Sequence, residues 1–132
     1  MIDHIGADAS RPLTPAVRAG DWLYVSGQAS TDPQTGAFVS GSFDEEFHRS
    51  IANLDAVLAE AGAGREQIVR IGAFVRDEDA LPRYNELYLA TFAHPRPART
   101  TVAMGFSFLR FEIEAVVYLG DPATPVTTRG PR

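Results

Sequence analysis

Phe111-Glu112-Ile113-Glu114-Ala115-Val116-Val117-Tyr118 decides how this chain folds. With the two-residue period of a strand, Phe111, Ile113, Ala115 and Val117 share one face, and Glu112, Glu114, Val116 and Tyr118 share the other. The first face is wholly apolar and suits a layer of helices. The second mixes two acids with a valine and a tyrosine. Full solvation would rarely hold both Val116 and Tyr118, and full burial would be costly for the carboxylates. A half-buried face satisfies both, such as a subunit interface with a wet pocket at one end. Asp21–Gln28 repeats the pattern, with Leu23 and Val25 on one side and Trp22, Tyr24, Ser26 and Gln28 on the other. The expectation is a homo-oligomer whose sheet faces turn toward one another.

Working outward, Thr31–Gly36 carries Pro33 and Gly36 where a turn needs them, and Ala37–Val39 reads as a short return strand closing a hairpin. Ser42 and Glu45 have capping-box spacing. Phe47, Ile51, Leu54, Val57, Leu58 and Ala61 trace one helical face behind them, predicting a helix over 44–62 that Gly62 and Gly64 terminate. Val69, Ile71, Ala73 and Val75 alternate as a strand. A second helix is expected from near Asp79, with Pro82 tolerated in its first turn. Leu81, Tyr84, Leu87, Tyr88 and Phe92 form its apolar side, and Pro95 and Pro97 end it. Thr100–Met104 and Phe111–Leu119 supply the last strands. The order β-β-α-β-α-β-β favours an α+β two-layer domain, a mixed β-sheet with two helices on one face.

Composition narrows the function classes. The chain has 132 residues, 45% hydrophobic and 22% charged, as expected for one globular domain. It has no cysteine, which excludes disulfides, thiolate nucleophiles and Cys-ligated metals. The net charge of −5, without a Lys/Arg cluster, is a poor match for nucleic acid or anionic lipid. The first residues lack a basic region followed by an apolar core, and no apolar run approaches the ~18 residues of a membrane span. A cytoplasmic protein with no nucleic-acid or membrane partner is the expectation. Residues 121–132, with Pro122, Pro125 and Pro131, have little to bury and are expected to form a flexible tail.

His4, His48 and His94 show no metal-ligand spacing and lie in no carboxylate cluster, so no metal is expected. Ser26-Gly27-Gln28 is not a nucleophile elbow, because Val25 rather than a glycine-x pair precedes the serine. Pro95-Arg96-Pro97-Ala98-Arg99-Thr100-Thr101 is the most unusual segment. Its prolines fix the approach to a strand, and Arg99 at the junction has the planar fork that matches a carboxylate. Glu112 has the chemistry of a general base or water-orienting group. Each also has a plainer reading, as a surface arginine before a strand and a solvated strand-face glutamate. Together with Ser26 from another strand they would make a small polar pocket for a charged metabolite.

Six ordered segments resemble one family. Val17–Gln28 is similar to its "AVRAG…SGQ" signature, and Asp32-Pro33-Gln34-Thr35-Gly36 to its "D-P-x-T-G" turn. Asn53–Gly62 resembles "N-l-x-x-v-L-x-x-A-G", and Tyr84–Tyr88 resembles "v-N-x-x-Y". Pro97–Thr101 is similar to "P-A-R-S/T", and Glu112–Ala115 to "E-I-E-A". The family is that of RidA (YjgF-type) reactive intermediate and imine deaminases, and the resemblance runs from about residue 13 to 119. It implies a single RidA-like domain over 1–120 with a chorismate-mutase-like fold. It further implies a homotrimer with active sites between subunits, acting on 2-aminoacrylate-like or larger imino and enamino acids without a cofactor. By the same resemblance Arg99 holds the substrate carboxylate and Glu112 positions the hydrolytic water. Ser26, Gly27, Asn85 and Thr101 line the substrate pocket. The chain departs from the pattern at Leu13, where active members often carry a tyrosine. The segment between Arg99 and Glu112 lacks the usual "L-P-x" loop and contains Phe106 and Phe108. These departures point toward a larger, more apolar imine or enamine. The alternative is a non-catalytic, carboxylate-binding regulatory trimer using the same cleft. Some relatives are described as ribonucleases, which the acidic charge argues against here.

Overall fold

The computed structural model describes residues 1–131. Strands β1 (Ile2–Ile5), β2 (Ala16–Ala19) and β3 (Trp22–Ala29) are followed by helix α1 (Phe43–Glu60), strand β4 (Ile68–Val75), helix α2 (Leu81–Thr91) and strands β5 (Ala98–Ala103) and β6 (Phe111–Tyr118). They build one six-stranded sheet in the order β1-β2-β3-β6-β4-β5. β4 and β5, joined through α2, run parallel, and every other neighbouring pair is antiparallel. The fold is α+β, with two helices on one face of a mixed sheet. Among the described residues no helix is long and apolar enough to cross a membrane.

The alternation of β6 sets the layer. Phe111, Ile113, Ala115 and Val117 are all buried, alongside Leu23 and Val25 of β3 and Ile71, Ala73 and Val75 of β4. Phe47, Leu54 and Leu58 of α1 and Tyr84 and Tyr88 of α2 close over them. Rings from both helices meet the sheet at Phe111, with centroids 5.1 Å from Phe47 and 5.3 Å from Tyr84. Each such side chain removed from water contributes about 1.5–3 kcal/mol.

The helix ends follow their sequence signals. Glu45 N donates to Ser42 Oγ (3.2 Å) and Ser42 N to Glu45 Oε1 (3.0 Å), completing the capping box. Gly62, at φ +71°, ends α1, with Ala63 N donating to Leu58 O and Gly62 N to Ala59 O. That is a Schellman arrangement, and it needs the left-handed residue. Gly64 is not left-handed and instead opens a 3-10 turn over Arg65–Gln67. α2 begins at Leu81, after a 3-10 turn at Glu78–Ala80, and keeps Pro82 in its first turn. It ends at Thr91, ahead of the prolines.

Three expectations need correction. Ala37–Val39 is not a strand: it makes one isolated bridge, Thr31 to Phe38. The pairing holds two backbone bonds, Val39 N to Ser30 O and Asp32 N to Ala37 O (both 2.8 Å), and goes no further, with side chains on neighbouring carbonyls. Ser30 Oγ donates to Val39 O (2.6 Å), and Asn53 Nδ2 of α1 donates to Ala29 O and Thr31 O (both 3.0 Å). The early strands are instead β1 and β2, which the hydrophobic pattern did not mark. β1 is almost wholly exposed and β2 has only four residues. Finally, β3 does not alternate throughout. Val25 pairs with Ala115 but Gln28 pairs with Ile113, so one extra residue is bulged out. Gln28 therefore lies in the row of Ile113, not on the face of Trp22 and Tyr24.

Among the described residues Glu46 is the only buried charged side chain. Its Oε1 accepts from Arg110 N (2.8 Å) and its Oε2 from Gly41 N (3.3 Å), with Arg110 Nε at 3.7 Å. A buried carboxylate is tolerated when its lone pairs are used this way. The result is an anchor for the loop that enters β6. On the open face, Trp22, Tyr24 and Val102 are 42–52% exposed, and Tyr118 packs on Trp22 at 5.1 Å. Residues Asp121 to Pro131 follow β6 without helix or strand and are exposed; Arg132 lies outside the described residues.

Candidate functional site

The bulge in β3 shapes one end of the site. It spans Ser26 and Gly27, just beyond the last β2 pair, Ala16 with Val25. Glu112 of β6 lies against it. A β-carbon placed on Gly27 would collide with the Glu112 carboxylate, so the glycine is what lets that carboxylate lie across the strand. Burial pushes the Glu112 carboxyl above the ordinary carboxylate range, and the neighbouring charge of Glu114 adds to this. Ser26 is committed to structure: its hydroxyl donates to Thr14 O (2.6 Å) and its amide to Pro15 O (2.9 Å). It thereby ties the segment carrying Leu13 to the bulge.

Glu112, Gly27 and Leu13 open onto a cleft of about 620 Å³ that also reaches Phe38, Phe106 and Phe108. Leu109, buried to 3% exposure, and the Glu46 anchor on Arg110 hold the loop that presents Phe106 and Phe108. The sequence pattern singled out Phe106 and Phe108 but missed Phe38, because a short strand was expected there. Asn53, quoted above within a family-like motif, also borders the cleft, but its amide is spent on Ala29 and Thr31.

A second group forms around Arg99 on the edge strand β5. Arg99 Nη2 donates to Asn85 Oδ1 of α2 at 2.8 Å. Its guanidinium lies 4.9 Å from the Tyr84 ring centroid and 4.7 Å from that of Tyr88, both within cation–π range. The planar cation is thus fixed by two rings and an amide while Arg99 stays exposed, as a carboxylate fork requires. Burial raises both tyrosine hydroxyls in pKa, against the lowering effect of Arg99. The hydroxyls of Tyr84, Tyr88 and Thr101 are buried without a hydrogen-bond partner. Tyr84 and Tyr88 read in sequence as helix core and as part of the "v-N-x-x-Y" resemblance, with no role beside Arg99. The (i, i+4) spacing that puts both rings on one face also makes them a shelf for a cation.

Within one chain these two groups do not meet. Arg99 is level with Ile71 of β4 and Thr101 with Ala73, the rows that face the helices. Glu112 is level with Phe74, in the alternate row. β4 lies between β5 and β6. Asn85, Arg99 and Thr101 therefore form one cluster on the helix side of the sheet edge, and Gly27 and Glu112 form another across the sheet. Among the described residues no group of three or more His, Asp or Glu side chains is gathered as metal ligands.

Fold and site define a two-layer α+β protein with a desolvated carboxylate at a cleft walled partly by aromatic rings and a separate exposed arginine held by two rings and an amide. Residues 4–119 match the model of the family described as Endoribonuclease L-PSP. A RutC family protein of Pyrococcus abyssi is 33% identical over 109 residues, covering 81% of this chain and 86% of that protein. A Dermatophagoides farinae protein named 2-iminobutanoate/2-iminopropanoate deaminase is 31% identical over 110 residues, covering 82% and 86%. The crystal structure of RidA from an Antarctic Psychrobacter superposes with a TM-score of 0.79 at 26% identity, covering 88% of this chain and 98% of that one. The chain belongs to the RidA (YjgF-type) family.

Proposed function

We propose that this protein is a cytoplasmic hydrolase that converts reactive enamine and imine acids to 2-keto acids and ammonia, working as a homotrimer of the 1–120 domain. Arg99 holds the substrate carboxylate, with Asn85 and Thr101 beside it. Glu112, across an intersubunit cleft with Ser26 and Gly27, orients and deprotonates water. The oxygen of that water bonds to C2, and the C2–N π electrons pass to nitrogen. The nitrogen takes the proton held by Glu112, completing a carbinolamine. Its hydroxyl proton then passes to the amine, the C2–N bond breaks with its electron pair going to nitrogen, ammonia leaves, and the O–H electrons close the C2 ketone. Holding the carboxylate and one water removes much of the entropic barrier, and the step needs no cofactor. The observation that carries this reading is the Glu112 carboxylate, desolvated against Gly27 at the mouth of a cleft. The deaminase name of the Dermatophagoides relative supports the same chemistry.

The test generates imines from amino acids with an amino-acid oxidase and traps survivors with semicarbazide. Wild type should reduce trapping, while Arg99→Ala and Glu112→Gln, folded and assembled, should not. Equal trapping with and without wild type removes the enzyme reading. A second reading, a regulatory trimer binding small carboxylates, draws on Leu13, which gives this cleft an apolar wall. It predicts saturable binding without turnover. Nuclease activity persisting in rigorously purified Arg99→Ala would instead favour RNA, against the net charge of −5.

A further inference from the structure

Leu13, Phe38 and Phe108 are 49–52% exposed, and with Phe106 they line the cleft that Glu112 opens onto. Single exposed apolar residues are ordinary on a protein surface, but four grouped around one desolvated carboxylate are not. The rings already touch one another: Phe38 and Phe108 meet edge to face at 4.7 Å, and Phe106 and Phe108 lie 5.2 Å apart. They are also held in place. The Thr31–Phe38 bridge fixes one side, and Leu109 with the Glu46–Arg110 contact fixes the other. The cleft's volume, about 620 Å³, falls in the range of pockets that enclose ligands much larger than a three-carbon acid. Two polar side chains bordering it are engaged elsewhere: Asp32 Oδ1 accepts from Gln34 N at 2.8 Å, and Asn53 donates to Ala29 O and Thr31 O, while Arg11 and Glu60 border the cleft as its charged groups besides Asp32 and Glu112.

We infer that Phe38, Phe106 and Phe108 form a side-chain subsite that selects 2-imino or 2-enamino acids bearing an aromatic or long apolar group. Phe38 and Phe108 are its specificity-determining residues. A flat ring on the substrate adds an offset or edge-to-face contact to the existing ring cluster, which a methyl group does not supply. This inference rests on the deaminase reading for turnover, but not for binding.

Imines of phenylalanine, leucine and alanine, generated by an amino-acid oxidase, give kcat/KM ratios for wild type, Phe108→Ala, Phe38→Ala and the bulk-conserving Phe108→Leu. Wild type should prefer the phenylalanine imine over the alanine imine. That ratio should fall by roughly tenfold or more in the two alanine variants, and less in Phe108→Leu. A ratio near one in wild type, or one that neither alanine variant moves, overturns the subsite and leaves the deaminase reading standing. If no imine is hydrolysed, calorimetry with 3-phenylpropanoate and propanoate decides. Tighter binding of the aromatic acid, lost in Phe108→Ala, supports the subsite without the enzyme reading, and equal binding overturns it. Light scattering accompanies each variant: a changed oligomer mass in Phe108→Ala makes the ring a contact between copies and overturns the assignment.

Discussion

At the scale of single residues, Glu112 and Gly27 work as a pair. The carboxylate is desolvated because it lies across a backbone that has no side chain, and its proton affinity rises as a result. The folded chain therefore binds this proton more tightly than the unfolded chain. The stability contributed by the group is fully present below the ordinary glutamate value of about 4.3 and is lost as pH rises through the elevated folded value. Glu112→Gln should accordingly raise the melting temperature at pH 7–8. The gain should shrink toward nothing near pH 4, as calorimetry across that range would show. The same substitution should abolish imine hydrolysis, and the acid limb of the wild-type kcat/KM profile should lie above the ordinary carboxylate range. Gly27→Ala isolates the geometry. Gly27 has no left-handed backbone to strain, so the chain should fold with an unchanged circular dichroism spectrum. The added methyl displaces the carboxylate, and activity should drop on the order of a hundredfold, the cost of misplacing a reacting group by about 1 Å.

At the scale of elements, side chains on α1 set the loops that the site depends on. Asn53 gives one amide to three oxygens of the 29–31 turn, and Ser42 caps the helix that carries it. Asn53→Ala should cost about 1–3 kcal/mol by leaving turn carbonyls unpaired, and Ser42→Ala about 1 kcal/mol. Denaturant melts would measure both. The Asn53 variant alone should also alter the cleft, read as weakened binding of 3-phenylpropanoate. These elements divide what the sequence made legible from what it hid. α1, α2, β4 and β6 were legible because their apolar residues recur at one period and bury together. The capping box and Gly62 were legible because each satisfies orphan helix groups in one known way. β1 was hidden because it is exposed and β2 because four residues are too few to show a period. The 37–39 segment misled because its pairing stops after two backbone bonds, with the Val39 carbonyl taken by the Ser30 hydroxyl instead of the Ser30 amide. The bulge at Ser26–Gly27 leaves no hydrophobic signature at all, although it shapes the site.

At the scale of the whole molecule, the residues singled out from sequence sort into two places that one chain keeps apart. Asn85, Arg99 and Thr101 gather at the outer edge against α2, while Gly27 and Glu112 meet across the sheet at the cleft. The family resemblance could supply the residues but not this separation, which comes from strand order and alternation: β4 stands between β5 and β6, and rows one residue apart face opposite ways. A site that uses both groups must draw them from two copies. The open sheet face, with Trp22, Tyr24 and Val102 half exposed, provides apolar surface for such copies to cover. A direct consequence is complementation. Arg99→Ala and Glu112→Gln should each be inactive alone. Unfolded together in equal amounts and refolded, they should recover about one quarter of wild-type activity. In a cyclic assembly with random mixing, one site in four then pairs an intact arginine from one copy with an intact glutamate from its neighbour. Mixing without unfolding should recover activity only as fast as subunits exchange. If the refolded mixture stays inactive while light scattering shows mixed oligomers of normal mass, Arg99 and Glu112 do not serve one shared site. The arginine cluster must then bind its anion independently of the cleft.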